Sequence, residues 1–303
     1  MSAPITLVTA LLAAASAATL AAQAPAPDPL LAPIEPDHAA RWLTPVEPVK
    51  LFANSYFVGF GGLSVVLIDT GTGLILIDAS LPQAVPAVEA NIRKLGFDPR
   101  DVKLIFSTEP HYDHGGGLAA LARDTGATVV AGTAAVRELE SGTGDAADPQ
   151  AEWLVPFPAV PHVRGVRDGE RLRLGDTEIT AITTPGHTAG STSWTWRSCA
   201  GATCRTMVFG ASLNPVSTDT YRFSDPAHRS VVDRFRAGFA RMEALPCDML
   251  VTAHPDQSGG DTKLSRLQAG DADAFLDRKA CRDYAVTYRD RLDARLKKEA
   301  ETR

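Results

Sequence analysis

Apolar residues run almost unbroken through Leu63-Ser64-Val65-Val66-Leu67-Ile68 and again through Leu74-Ile75-Leu76-Ile77, with Asp69-Thr70-Gly71-Thr72-Gly73 between them. Two short β-rich runs split by a Gly/Asp turn predict a hairpin leading into the core. From Pro86 to Leu95 the period changes: Val88, Ile92 and Leu95 share one helical face, and Val102 to Phe106 is then a short apolar strand ending at Ser107. The same alternation recurs after residue 165. Strands are predicted over Arg171 to Leu174, Glu178 to Thr183, Ser191 to Trp196 and Thr206 to Phe209. A helix follows with Val231, Phe235, Phe239 and Met242 on its apolar face, then a buried strand Met249-Leu250-Val251-Thr252. Residues 263 to 300 read as helical, the last part charged and solvated. Two halves, each of strands plus helices, predict an α+β fold in which two β-sheets pack face to face between outer helix layers.

Composition narrows this picture. A 303-residue chain with 45 % hydrophobic content can bury the core of one large domain. Its formal charge of −6 leaves no basic stripe to neutralise phosphates, which argues against a nucleic-acid partner. Ala3 to Ala22 carries no charge and is rich in Ala and Leu, and Ala15, Ser16 and Ala17 offer a cleavage site. Residues 1–24 are therefore expected to be an export signal, cut between Ala17 and Ala24, and the weak hydrophobicity argues against a membrane anchor. Residues 25–303 are expected to form a single domain, opening with an extended Pro/Ala arm over 25–36. Export to the periplasm permits disulfides. Four cysteines allow three pairings, of which Cys199 with Cys204 and Cys247 with Cys281 is favoured. The first would close a small loop around Gly201 and the second would tie Leu245-Pro246-Cys247 to the C-terminal helix. A cysteine zinc site competes poorly, because no CxxC spacing is present.

The chemistry concentrates elsewhere. Directly after the strand ending at Phe106 come Glu109, His111, Asp113 and His114, followed by Gly115-Gly116-Gly117. A strand-end loop can turn such residues inward together, and the glycines let the backbone pass close before a helix starts at Leu118. His187 lies in the turn Thr184-Pro185-Gly186-His187-Thr188-Ala189-Gly190-Ser191, and His254-Pro255 follows the strand Met249 to Thr252. One histidine alone is more often a hydrogen-bonded surface residue than a ligand. A shared setting at strand ends and Gly/Pro turns makes His111, His114, His187 and His254 candidate metal ligands; His38, His162 and His228 share no such motif.

The loop over 109–114, the Thr-Pro-Gly-His-Thr run and the final His resemble the metallo-β-lactamase superfamily across nearly the whole mature chain. Thr184 to Trp194, Gly210-Ala211-Ser212-Leu213-Asn214, and Leu245-Pro246-Cys247-Asp248 with Cys281 resemble its class B, subclass 3 β-lactamases. The resemblance implies an αβ/βα four-layer sandwich and two Zn2+ ions per chain, one on Glu109, His111 and His187, the other on Asp113, His114 and His254. It implies hydrolysis of a small-molecule β-lactam through a zinc-bound hydroxide that Asp113 orients, and the chain has no Ser-x-x-Lys run of the serine enzymes.

The sequence departs from the pattern at Glu109, where the family motif begins with His. Carboxylate oxygen binds zinc at roughly 2.0–2.2 Å, so the first site can survive with altered charge; the alternative is a Glu109 turned away and a single-zinc enzyme. Ser212 stands where other subclasses place a Cys ligand and is implied to hydrogen-bond near the second zinc and the substrate. Asn214 can donate to a substrate carboxylate or be a simple turn residue. Asp78, ending a buried strand, is implied to buttress the metal loop, whereas Trp42 and Phe157 are as readily packing residues as pocket walls. Two rivals remain: another hydrolase on this fold, such as a lactonase or thioester hydrolase, and a non-catalytic periplasmic zinc-binding protein.

Overall fold

The computed structural model describes residues 26–302; the signal expected over 1–24 lies outside the described residues. One sheet holds seven strands, β1 (Val49–Phe52), β2 (Ser55–Phe57), β3 (Val66–Asp69), β4 (Leu74–Ile77), β5 (Val102–Phe106), β6 (Thr128–Gly132) and β7 (Arg164–Val166), lying side by side in chain order. The other holds β8 (Arg171–Leu174), β9 (Thr177–Thr183), β10 (Thr192–Ala200), β11 (Thr203–Gly210) and β12 (Met249–Thr252), also neighbours in chain order. The helices are α1 (Ala39–Trp42), α2 (Val85–Lys94), α3 (Tyr112–Gly115), α4 (Leu118–Thr125), α5 (Val136–Ser141), α6 (Arg229–Glu243), α7 (Gly260–Gln268) and α8 (Ala280–Glu301). Strands β4 to β7 run parallel, as do β11 and β12, while β1 to β4 and β8 to β11 are antiparallel.

Strand alternation sorts the side chains into layers. Leu67, Leu74 and Leu76 point to Val88 and Ile92 of α2 and Leu118 and Leu121 of α4. Their neighbours Val66, Ile68, Ile75 and Ile77 point the other way, onto Trp194, Trp196, Met207, Phe209, Met249 and Val251 of the second sheet. On that sheet's outer face Val208 and Leu250 meet Phe235, Phe239 and Met242 of α6 and Tyr284, Tyr288 and Leu292 of α8. The order is helix, sheet, sheet, helix, the four-layer arrangement the resemblance implied. Both faces of β3 and β4 are covered, which is why these strands read as continuous apolar runs. Each such side chain contributes roughly 1.5–3 kcal/mol by leaving water.

The structure differs from the sequence expectation in three places. The first run becomes regular strand only at Val66, because the peptide N–H of Ser64 is drawn to Ala253 O, 2.9 Å away. Strands β1, β2, β6 and β7 carry no legible period; β7 has three residues, two of them exposed. The helix expected over 263–300 is two: α7 stops at Gln268, Gly270 takes φ +100°, and the Asp277 carboxylate accepts from the N–H of Lys279 just before α8 begins. A glycine with positive φ ends one helix, and a turn closed by the Asp277 carboxylate leads into the next. Both favoured disulfides are formed, Cys199–Cys204 across directly paired positions of β10 and β11, and Cys247–Cys281 from the segment before β12 to the first turn of α8. Among the described residues no helix is long and apolar enough to cross a membrane.

Candidate metal centre

The loops that follow β4, β5, β11 and β12 meet at one edge of the two sheets, and the turn between β9 and β10 joins them. Ligands gather at strand C-termini in such sheets because the chain must leave the sheet there and can present side chains without breaking the ladder. Asp78, just past β4, ties two loops together: its Oδ1 accepts from the Thr108 N–H and its Oδ2 from the Thr108 hydroxyl, both at 2.7 Å. Asp78 and Ser80 hold positive φ (63° and 62°) without being glycines, strain of order 1–3 kcal/mol each that surrounding contacts must hold in place. The glycines after His114 are needed sterically. A Cβ on Gly117 would lie 2.4 Å from Ala79 O and one on Gly116 2.3 Å from Tyr112 O, so only glycine lets the ligand loop pack this tightly.

Six side chains from three separate segments converge into two groups, Glu109 with His111 and His187, and Asp113 with His114 and His254, the potential ligand atoms of each group lying within 4.8 Å of one another. The groups abut, since Glu109 Oε1 is 3.1 Å from His114 Nε2 and 3.8 Å from His187 Nε2. In the second group His114 Nε2 and His254 Nε2 each lie 3.3 Å from Asp113 Oδ2.

Each of the four cluster histidines has one ring nitrogen facing a carbonyl or carboxyl oxygen. Nδ1 of His187 donates to Asn214 O and Nδ1 of His254 to Gly62 O, each at 2.9 Å. Nδ1 of His114 faces Asp78 Oδ2 at 3.3 Å, and Nε2 of His111 faces Asp148 Oδ2 at 3.1 Å. In the neutral ring the engaged nitrogen carries the proton, so the other can present a lone pair to a cation that displaces any second proton.

Without a cation, the buried carboxylates and imidazoles of the cluster lean on one another's charge. Burial opposes ionisation of Asp113, but His114 and His254 overcome it and hold the carboxyl well below its ordinary value. Burial also disfavours protonation of His114, and Asp113 and Glu109 outweigh it, holding this imidazole well above its ordinary value. Burial lowers His187. Glu109 is fully buried; its Oε2 accepts from the Ser212 N–H at 3.0 Å, yet its Oε1 receives no well-directed hydrogen bond. A buried carboxylate oxygen without a donor, among lone-pair nitrogens, is the environment a cation completes. Two carboxylates and four imidazoles fit a pair of divalent ions of the zinc type.

The cluster opens into a cavity of about 900 Å³. His111, Asp113, His187 and His254 face it, with Trp42 and the N-terminal arm on one side and Gln150, Trp153, Leu154 and Val155 on another. Asn214 lines it, whereas Ser212 is fully buried behind Glu109 and meets Gln257 Nε2 at 3.5 Å. Trp42 packs 5.4 Å from the His254 ring, but Phe157 lies in the core beneath the first sheet. Of the histidines set aside, His38 lines the cavity edge-on to Trp42, His228 stacks on Tyr221, and His162 is exposed. Sequence reasoning missed Asp148 and Gln150, whose amide nitrogen sits 3.3 Å from His187 Nε2. They lie in a polar loop where no local pattern distinguishes them.

Comparison with known proteins agrees with this geometry. The profile of the metallo-β-lactamase superfamily matches residues 49–254. A solved structure described as the first B3 metallo-β-lactamase with an active-site glutamic acid is 49 % identical, with TM-score 0.83, covering 91 % of this chain and 99 % of that one. The Rm3 metallo-β-lactamase is 41 % identical (TM-score 0.85; 88 % and 100 % covered), and BJP-1, a subclass B3 enzyme of Bradyrhizobium japonicum, is 36 % identical (TM-score 0.78; 88 % and 99 % covered). With a family profile over two thirds of its length, a matched fold and the ligand cluster together, the chain belongs to the metallo-β-lactamase superfamily.

Proposed function

We propose that this protein is a zinc-dependent β-lactamase of the B3 type, in which Glu109, His111 and His187 hold one Zn2+ ion and Asp113, His114 and His254 a second. The observation that carries the reading is the six-donor cluster, each imidazole backed through one ring nitrogen by an oxygen, on the floor of an open cavity. The ions would supply Lewis acidity and a water acidified from a pKa of 15.7 toward about 7. Asp113, ionised and facing the cavity, orients the attacking water. Water oxygen adds to the lactam carbonyl carbon, the C–N bond breaks, and the ring nitrogen takes up a proton. Asn214 sits on the cavity wall where its amide can donate to the carboxylate a β-lactam carries, and Trp42, Trp153 and Val155 offer apolar surface to its substituents. Ser212 acts from behind, orienting Glu109.

We further read residues 1–24 as an export signal and 25–303 as one periplasmic domain; N-terminal sequencing of the mature protein should find a start between residues 18 and 25. The functional test is metal counting together with turnover of a chromogenic cephalosporin, a lactone and a thioester, with and without chelator. Two zinc equivalents and chelator-sensitive cephalosporin turnover are expected. Cleavage of only lactone or thioester would replace the substrate class, and two firmly held ions without any turnover would replace the enzyme.

A further inference from the structure

His111 differs from the other three histidines in how it is held. His114 leans on Asp78 at the end of β4, and His187 and His254 lean on backbone carbonyls. His111 leans on Asp148, from a peripheral loop, with the two side chains only 4 % and 3 % exposed. That loop is itself tied down. Asp148 Oδ1 accepts from the Gln150 N–H at 2.7 Å, the Asp148 N–H donates to Asp145 O at 3.0 Å, and the Asp145 N–H donates to Glu138 Oε2 at 3.1 Å. Pro149 O accepts from the Thr218 N–H at 3.0 Å, fastening the far side. A buried carboxylate thus stands on α5, a second stands on the loop, and the imidazole follows.

We infer that Asp148 is a positioning residue for the first metal site, fixing His111 as its Nε2–H tautomer with Nδ1 free to bind, and that Glu138 holds the loop that carries it. The inference rests on the proposed two-metal reading. It gives the two groups the same composition: one carboxylate ligand, one histidine backed by a carboxylate, and one histidine backed by a carbonyl. An ionised carboxylate behind an imidazole raises the basicity of the opposite nitrogen and stops the ring from rotating, effects worth about 10–100-fold in metal affinity. The simpler alternative is that Asp148 only shapes its own turn. An asparagine would keep that turn, accepting from the Gln150 N–H, while removing the charge behind the ring.

The test is competition of the zinc-loaded protein with a chromophoric chelator, following the two equivalents separately, with nitrogen NMR of the histidine rings and thermal melting of the metal-free proteins. In Asp148→Ala one equivalent should weaken by roughly 10–100-fold and the other stay unchanged. Asp148→Asn should fall between it and the wild type and shift the His111 ring nitrogens, with the metal-free melting temperature unchanged. Glu138→Ala should weaken the same equivalent by a smaller factor. In a Glu109→Ala background, where that equivalent is already lost, Asp148→Ala should add nothing. Wild-type affinities for both equivalents in Asp148→Ala, or an Asp148→Asn identical to wild type in affinity and ring spectrum, would overturn the inference alone. A wild-type protein that holds no cation at the Glu109 group would overturn the two-metal reading as well.

Discussion

The two halves of the metal centre use like donors but rest on different parts of the fold. Asp113, His114 and His254 are held by groups at the ends of core strands: Asp78 beyond β4, Gly62 O beside the first hairpin, and His254 itself directly after β12. In the other group Glu109 is held by the Ser212 N–H just beyond β11, but His111 and His187 depend on the periphery. His187 rides in the turn between β9 and β10 and leans on Asn214 O, and His111 leans on Asp148 in the loop after α5. Core strands are packed on both faces and tolerate little displacement, whereas loops carry fewer buried contacts and adjust more readily. The second group should therefore be the more rigid and the first the more easily tuned. Placing a carboxylate at Glu109 adds negative charge on the tunable side.

The sharpest way to break the comparison is Asp113→Ala, which removes the only carboxylate of the strand-anchored group. It should lose the second metal equivalent and at least roughly 10²–10³-fold in turnover, read by metal analysis and initial rates; retention of both would contradict the assignment. Asp78→Ala should weaken the same equivalent about 10–100-fold through His114 and also free the Thr108 contacts, so it should lower the melting temperature as well. On the other side, Glu109→His exchanges a carboxylate for a neutral imidazole. An ion held there would be the stronger Lewis acid, and the acid limb of the pH–rate profile should move to lower pH with two metals still bound; an unmoved profile would count against direct ligation.

The smallest expected effect concerns Glu138, whose carboxyl burial pushes up from 4.5 to about 7. A raised folded value means that folding favours the protonated acid: the stabilisation is complete below about 4.5 and is lost as pH rises through about 7. Glu138→Gln cannot ionise. Its stability relative to wild type should rise between acid and pH 8.5 by at most about 2–3 kcal/mol, measured by urea denaturation of metal-free protein; a pH-independent difference would show that Glu138 does not titrate in this range.

The parts of this protein legible in its sequence are those with local causes. β4, β5 and β12 fall where the sequence predicts them to the residue because short apolar runs ended by turn residues have few other solutions. The break between α7 and α8 was missed, although Gly270 and Asp277 mark it, because the helical pattern on both sides masks a short capped turn. In the centre, all six candidate ligands came from motif residues at strand ends, and the structure brings them together. Their supports were legible only where they share those loops, as Asp78 does. Asp148 lies 37 residues from His111, Gly62 lies 192 from His254, and Asn214 contributes a backbone carbonyl that no side-chain pattern can announce.

Local chemistry alone thus determined which groups can bind a cation and which segments become strands. Only the packing of two sheets decided which nitrogen of each imidazole is free, because that depends on an acceptor delivered by a distant segment. A hydrogen bond to a ring is a matter of a few tenths of an ångström and a direction, and a chain acquires that definition when its layers close.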